Sequence, residues 1–220
     1  MCRIVALKAD RDVCAESYFS FFKRMSERGI NCPHADGYGY AIKSLHEEIL
    51  YRSEESVINA SERNFNVRSA LLHSRKATGD YRRNLTHVHP FAFSMHGKTY
   101  YFVHNGVISR LEAREGVTDS QVYFERIVRM MVGGKDEAFA LQSVAEDIAS
   151  KHEFTSLNAV FTDLNSFWCL KLNSDPADTY HDFWYTEHDS ILMVSSEEPV
   201  KYMAIEERSR SLDNGELLVF

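Results

Sequence analysis

The distribution of strand-like and helix-like segments constrains this chain most. Ten short stretches rich in β-branched and aromatic residues read as strands: 3–8, 38–43, 47–52, 67–73, 98–104, 157–162, 167–172, 181–185, 190–194 and 216–220. Each is bounded by turn residues or charges. Only three amphipathic helices stand against them. Over residues 15–28, Tyr18, Phe21, Phe22 and Met25 fall at i, i+3, i+4 and i+7, the spacing of a core-facing stripe. A second helix runs from about Asp119, with Phe124, Ile127, Val128 and Met131 on one face, and Gly133-Gly134 stops it. A third begins near Asp136, with Leu141, Val144, Ala145 and Ile148 on one face. The helices cluster rather than alternate with single strands, which disfavours a doubly wound parallel sheet. The pattern predicts an α+β fold of antiparallel sheets with helices packed on their outer faces.

The bulk properties narrow the function classes. A length of 220 residues suits one domain, taken as 1–220, with 44% apolar and 26% charged residues. The net charge of -7 argues against nucleic acid or an anionic membrane as partner. The cysteines, at 2, 14, 32 and 169, have no CxxC spacing, so a disulfide framework or zinc ribbon is not expected. No signal-peptide h-region or membrane-spanning run is present, and a reducing, cytoplasmic setting is expected.

Cys2 is the first candidate for chemistry. Removal of Met1, which a small second residue permits, exposes a thiol and an α-amine on one residue. An α-amine ordinarily titrates at about pH 7.7–8.0, so that residue contains both a nucleophile and a general base. The bland alternative is an unremarked second residue. The strand of LLHSRKATGD delivers His73 and Arg75 to its end. Arg75 can grip a carboxylate with two parallel bonds, although an isolated strand arginine is more often plain surface. FVHNG ends in Asn105-Gly106, ordinarily a hairpin turn. Alternatively, the Asn105 amide and the Gly106 N–H converge on a developing oxyanion. Asp119 in TDSQ reads as a helix-terminus carboxylate or as a partner for an ammonium group. His87 and His89 form HxH without an acidic or cysteine partner nearby, so packed histidines are expected and no metal.

Together these segments resemble the glutaminase domain of the class II glutamine amidotransferases, within the N-terminal nucleophile hydrolases, and in particular their stand-alone, YafJ-like branch. The motifs are MC at the start, DGYGYA at 36–41, HSRKAT at 73–78, HPF at 89–91, FVHNG at 102–106, TDS at 118–120, LNAVFTD at 157–163 and the closing GELLVF. The resemblance covers nearly the whole chain, in order. It implies a four-layer αββα sandwich and a set of roles. Cys2 attacks a γ-carboxamide carbon; Asn105 and Gly106 form the oxyanion hole. Arg75 holds the substrate α-carboxylate, Asp119 its α-ammonium, and His73 and Thr78 line or support that pocket. No cofactor is implied. The implied partners are glutamine or another γ-glutamyl compound and a separate synthase subunit, with self-association left open.

The sequence departs from family habit at three places. His87 stands where many relatives have Asn, Gln121 where they often have Glu, and Lys76 where sugar-phosphate amidotransferases have Trp. A chain of glutaminase-domain length leaves no room for a synthase domain. Ammonia therefore passes to a separate subunit, or the protein simply hydrolyses its substrate. Two other readings stand beside these. One is an acylase of the same superfamily, such as a bile-salt or penicillin amidase, to which the HNG and HPF motifs do not belong. The other is a regulatory or scaffold subunit that binds glutamine or glutamate without turnover.

Overall fold

In a computed structural model, residues 2–61, 65–77, 84–203 and 209–220 are described. Two antiparallel sheets hold the strands. The first has seven, in the order β11-β9-β10-β1-β4-β2-β3. Its members are β1 (Arg3–Cys14), β2 (Tyr38–Lys43), β3 (Glu48–Ser53), β4 (Asn66–Ser74), β9 (Trp184–His188), β10 (Ile191–Ser195) and β11 (Ser209–Ser211). The second has five, in the order β12-β8-β7-β6-β5. It contains β5 (Phe91–Met95), β6 (Lys98–Asn105), β7 (Asn158–Thr162), β8 (Phe167–Leu170) and β12 (Leu217–Val219). Among the described residues three α-helices complete the fold: α1 (Glu16–Arg28), α2 (Asp119–Val132) and α3 (Glu137–Lys151).

The layers follow from the two-residue period of strand side chains. Along β1, Val5, Leu7 and Ala9 pack with Tyr18, Phe21, Phe22 and Met25 of α1. The alternate residues Ile4 and Ala6 meet Tyr101, Val103 and Val160 of the second sheet. Along β6, Tyr100 and Phe102 turn the other way, onto α2 and α3. Three apolar cores thus separate four layers: α1, sheet, sheet, and the α2–α3 pair. This is the αββα sandwich.

Local chemistry starts and stops the helices as their sequences suggest. Thr118 caps α2: its hydroxyl accepts from the Gln121 N–H at 3.2 Å, while the Gln121 side chain accepts from the Thr118 N–H at 2.8 Å. That reciprocal box uses Gln where relatives often have Glu, and it accounts for the substitution. Asp136 caps α3 by accepting from the Phe139 N–H at 2.8 Å.

Strand positions differ from expectation in three places. The strand expected at 181–185 lies at Trp184–His188, because Asp189 and Ser190 supply the two-residue, positive-φ turn to β10. Residues 91–95, read only as part of a motif, form β5, which turns at His96-Gly97 into β6. β1 runs on to Cys14, past an irregular register between Lys8 and Val13.

Phe102 tests the helix-side core. It is fully buried, with its ring 5.2 Å from Tyr123 and 5.3 Å from Phe124. Phe102→Ala is expected to lower the unfolding free energy by about 3–5 kcal/mol, read from urea unfolding. A loss under about 1 kcal/mol would contradict this packing.

Candidate active site

The site forms where the two sheets end together. β1 and β4 are neighbours at the middle of the first sheet, with Arg3 opposite Ser74 and Ile4 opposite His73. Cys2 lies one step before β1 and continues the face of Ile4 and Ala6, toward the second sheet. There Asn105 ends β6 on the face of Tyr101 and Val103, so the two residues meet. The Cys2 N–H donates to Asn105 Oδ1 at 2.7 Å. The Asn105 side chain is fully buried, and its Nδ2 has no partner among the described residues.

The backbone of Cys2 is anchored from the opposite face. Arg3 is wholly buried and pairs with Glu197 at 2.6 Å, and its Nη1 donates to the Cys2 carbonyl at 3.3 Å. Glu197 also accepts from the Ile30 N–H at 2.8 Å and the Tyr202 hydroxyl at 2.5 Å. A buried charge is tolerated when it is paired in this way.

Asn105-Gly106 does not form a hairpin. The chain continues instead through a long loop to α2, and Gly106 passes hard against residue 156. A Cβ built on Gly106 would sit 1.9 Å from the Ser156 carbonyl oxygen. Only glycine fits there. His104, pointing toward α2, joins Ser120 Oγ at 2.9 Å and the Ser156 carbonyl at 3.0 Å.

Arg75 continues the β4 face of Leu71 and His73. Its position is fixed through the backbone: its N–H donates to the Gly37 carbonyl at 2.8 Å, and its carbonyl accepts from the Asp36 N–H at 2.9 Å. The Asp36 carboxylate then accepts from the Ala77 N–H at 2.9 Å. The glycines of DGYGYA serve this geometry. Gly37 has a φ of 112°, accessible to glycine. A Cβ on Gly39 would lie 2.3 Å from the His89 carbonyl oxygen.

A cavity of about 270 Å³ opens beside Cys2. Arg75, His89, His104, Gly106 and Asp119 line it, and residues from 107 to 117 make its mouth. Asp119 opens α2, and its carboxylate accepts from the Ile108 N–H at 2.7 Å and the Ser120 N–H at 2.8 Å. It therefore ties the mouth loop to the helix while still facing the cavity.

The structure thus brings Cys2, Arg75, Gly106 and Asp119 to one cavity, with Asn105 bonded behind Cys2. His73 is wholly buried and lies behind the cavity wall rather than on it. Thr78 lies outside the described residues. His87 and His89 both line the cavity, and His87 Nε2 also donates to the Gly116 carbonyl at 2.9 Å. No group of three His, Cys, Asp or Glu suited to a metal occurs among the described residues. Sequence reasoning missed the mouth loop and the lining role of His89. The loop's one signal was the stretch of chain between β6 and the Thr118 cap.

Burial governs the site's electrostatics. It lowers the His73 pKa to about 3, aided by the Arg75 charge and opposed by the His104 backbone. His89 is held well below the usual histidine range by burial, then by His73, His104, Arg75 and Arg52. His104 is lowered by burial against the opposing pull of Asp119. Burial also lowers Arg75, while Cys2, Asp36 and Asp119 support its charge. The cavity lining thus has the neutral imidazoles of His89 and His104, the carboxylate of Asp119, and the cations Arg75, Lys76, Arg110 and Arg114.

The chain matches the family model for class II glutamine amidotransferases over residues 1–172. It belongs to that family, and its fold is that of the N-terminal nucleophile hydrolases. No curated protein sequence matches it. Solved structures do. The glutamine phosphoribosylpyrophosphate amidotransferase of Bacillus subtilis, complexed with ADP and GMP, is 15% identical, with TM-score 0.71, over 99% of this chain and 47% of its own. This chain therefore spans about half the length of that relative. A protein of Pseudomonas aeruginosa, described as a predicted glutamine amidotransferase, is 16% identical, with TM-score 0.61, over 100% of this chain and 97% of its own. A class II domain protein of Silicibacter pomeroyi is 19% identical, with TM-score 0.62, over 99% and 94%. At these identities the likeness is one of fold.

Two outcomes check the geometry. Gly106→Ala is expected to lower Tm measurably, because its methyl group must displace a backbone carbonyl; an unchanged Tm would contradict the close approach. The second concerns pH. His73 and His34, both lowered to about 3 by burial first, bind protons in the unfolded chain at higher pH than in the native one. Their stabilisation is therefore complete above about pH 6.5 and is lost as pH falls toward about 3. Urea unfolding at pH 7 and pH 4.5 should show this loss, and His73→Asn should reduce it.

Proposed function

We propose that this chain hydrolyses the γ-carboxamide of glutamine or a related γ-glutamyl amide, with Cys2 as nucleophile. The observation that carries the reading is the 2.7 Å bond from the Cys2 nitrogen to Asn105 Oδ1, placed beside a cavity lined by the Arg75 guanidinium and the Asp119 carboxylate. Once Met1 is removed, that nitrogen is an α-amine.

In the first step the thiol sulfur bonds to the γ-carbonyl carbon and its proton passes to the α-amine. With Oδ1 committed to the Cys2 nitrogen, Asn105 has Nδ2 left to donate to the oxyanion, together with the Gly106 N–H. Donors aimed where charge develops favour the transition state over the substrate. Collapse breaks the carbon–nitrogen bond, and the leaving nitrogen takes the proton from the α-ammonium. This gives a thioester and ammonia, or an amine. Water then adds to the thioester, glutamate leaves, and the thiol is restored. Arg75 holds the α-carboxylate. Asp119, with three of a carboxylate's roughly four acceptor positions in use, receives the α-ammonium at the remaining one. His73 supports the head-group pocket from behind, and Thr78 is assigned to the same head group.

We place the protein in the stand-alone, YafJ-like branch. The order of the motifs from MC through HSRKAT, HPF and FVHNG to GELLVF supports this. Ammonia then goes to a separate synthase subunit, or the γ-glutamyl amide is simply hydrolysed.

The test combines three measurements on one preparation. Intact mass should show loss of Met1. A γ-electrophilic glutamine analogue should label Cys2. Glutamate should be released from at least one γ-glutamyl amide, and Cys2→Ala should reduce the rate by at least about 10³-fold, on the order of a lost nucleophile. Release that survives Cys2→Ala, or processed protein that resists the label and turns nothing over, overturns the reading.

A further inference from the structure

The proposed mechanism gives His104 no task, although it stands next to Asn105 on β6 and is 1% exposed in the cavity wall. Strand alternation sends its side chain to the face opposite Asn105, toward α2. There its ring meets the Tyr123 ring edge to face at 5.4 Å. Both ring nitrogens are bonded: Nε2 to the Ser156 carbonyl at 3.0 Å and Nδ1 to Ser120 Oγ at 2.9 Å. A carbonyl oxygen only accepts, so Nε2 carries the hydrogen. Burial lowers the His104 pKa against the pull of Asp119, so the ring is neutral and Nδ1 keeps its lone pair. The Ser120 hydroxyl donates to that lone pair and shares its proton with Asp119 Oδ1, which stands farther off at 3.4 Å. A half-turn of the ring would put carbon where each nitrogen stands and leave buried polar groups without partners, which is costly.

The ring so fixed bears on Gly106. A Cβ on Gly106 would meet the Ser156 carbonyl oxygen at 1.9 Å and His104 Nε2 at 3.0 Å. Oxygen and ring together form the wall against which the Gly106 backbone rests. Neighbouring pairings pin that backbone on both sides. Asn105 pairs with Asn158. The Val107 N–H donates to the Thr155 hydroxyl at 3.0 Å, and the Val107 carbonyl accepts from the Thr155 N–H at 2.9 Å. Between these pairings one residue, Gly106, faces two, Ser156 and Leu157, the count of a β-bulge. Through Ser120 the same ring braces the first turn of α2, where the Ser120 N–H donates to Asp119 Oδ1 at 2.8 Å.

We infer that His104 is a positioning residue: its Nε2–H holds the Ser156 carbonyl against Gly106 and so aims the Gly106 N–H, while its Nδ1 keeps that donor in register with Asp119 through Ser120. This rests on the proposed role of Gly106 as an oxyanion donor. His104 itself gives and takes no proton in the reaction, because both of its nitrogens are committed.

Two variants separate the two bonds. The amide of His104→Gln reaches the position of Nε2 and can donate to Ser156, whereas the amide of His104→Asn reaches only the position of Nδ1. His104→Asn should lower kcat for glutamate release by at least about tenfold, part of the roughly 10²–10³-fold that a lost oxyanion donor costs, with KM kept within about threefold. His104→Gln should recover kcat to within about threefold of the wild type on the same scale. A ketone-bearing glutamine analogue should label Cys2 more slowly in His104→Asn by a similar factor, because its carbonyl oxygen needs the same donor. Glutamate, which undergoes no attack, should bind wild type and His104→Asn alike by calorimetry. A residue that merely filled the core would move Tm, KM and glutamate affinity together. Nitrogen NMR of the wild type should show His104 protonated at Nε2 and not at Nδ1, with the Nε2 signal moving when the ketone analogue reacts, which decides the matter even if the variants do not fold. Equal kcat in wild type and His104→Asn, a change in KM alone, a loss that His104→Gln does not recover, or an unprotonated or unmoved Nε2 overturns the inference. Turnover separates it from the proposed function. Glutamate release with kcat unmoved in His104→Asn removes the role of His104 alone. Labelling that slows in His104→Asn, with no glutamate released by the wild type from any γ-glutamyl amide, removes the hydrolase reading alone.

Discussion

The bond between the Cys2 nitrogen and Asn105 joins the two sheets at the ends of their strands, and most of the site's geometry depends on it. It exists because β1 and β6 each present alternate residues to the same inter-sheet core, so that Cys2 and Asn105 emerge at corresponding ends. A slip of one residue in either strand would turn its end residue onto the outer face. Such a slip is opposed along the whole length of both strands. Ile4 and Ala6 would exchange places with Val5 and Leu7, and Tyr101 and Val103 with Phe102 and His104. The registry of two apolar cores therefore sets the position of one catalytic candidate against another.

A second constraint is the handling of charge in a dry interior. Arg3 and Glu197 form a buried pair next to Cys2, completed by the Ile30 N–H and the Tyr202 hydroxyl. Breaking such a pair on one side is far costlier than never having it. It ties β1, the end of α1 and the segment after β10 into one support. The histidines solve the same problem differently: burial keeps His73, His89 and His104 neutral. Arg75 and Asp119 then put a cation and a carboxylate on the cavity wall beside Cys2, a pattern that suits a zwitterionic head group.

Much was legible in advance. Periodicity gave all three helices with their core faces, and alternation gave most of the strands. The errors have identifiable causes. Residues 91–95 begin with a proline-bounded motif that hid their alternation. The expected strand at 181–185 began too early because the aromatic run Phe183-Trp184-Tyr185 reads as strand, whereas the Lys171 ammonium draws the Asp182 carboxylate into an ion pair just before it. Asn105-Gly106 carries the commonest hairpin signal, yet the chain does not turn there, because Gly106 is required by the Ser156 carbonyl.

The sequence by itself determined the layer count, the residue types available for chemistry and the family, because these depend on local periodicity and on motif order. Tertiary structure alone decided which residues meet. It put His73 behind the wall and His89 on it, although both are histidines at the ends of apolar segments. It turned Asp119 into a tie for the mouth loop as well as a cavity carboxylate. It made the Cys2 nitrogen a partner of a residue 103 positions away. Those contacts depend on how two sheets pack face to face, and no spacing along one chain encodes the distance between strands in different sheets.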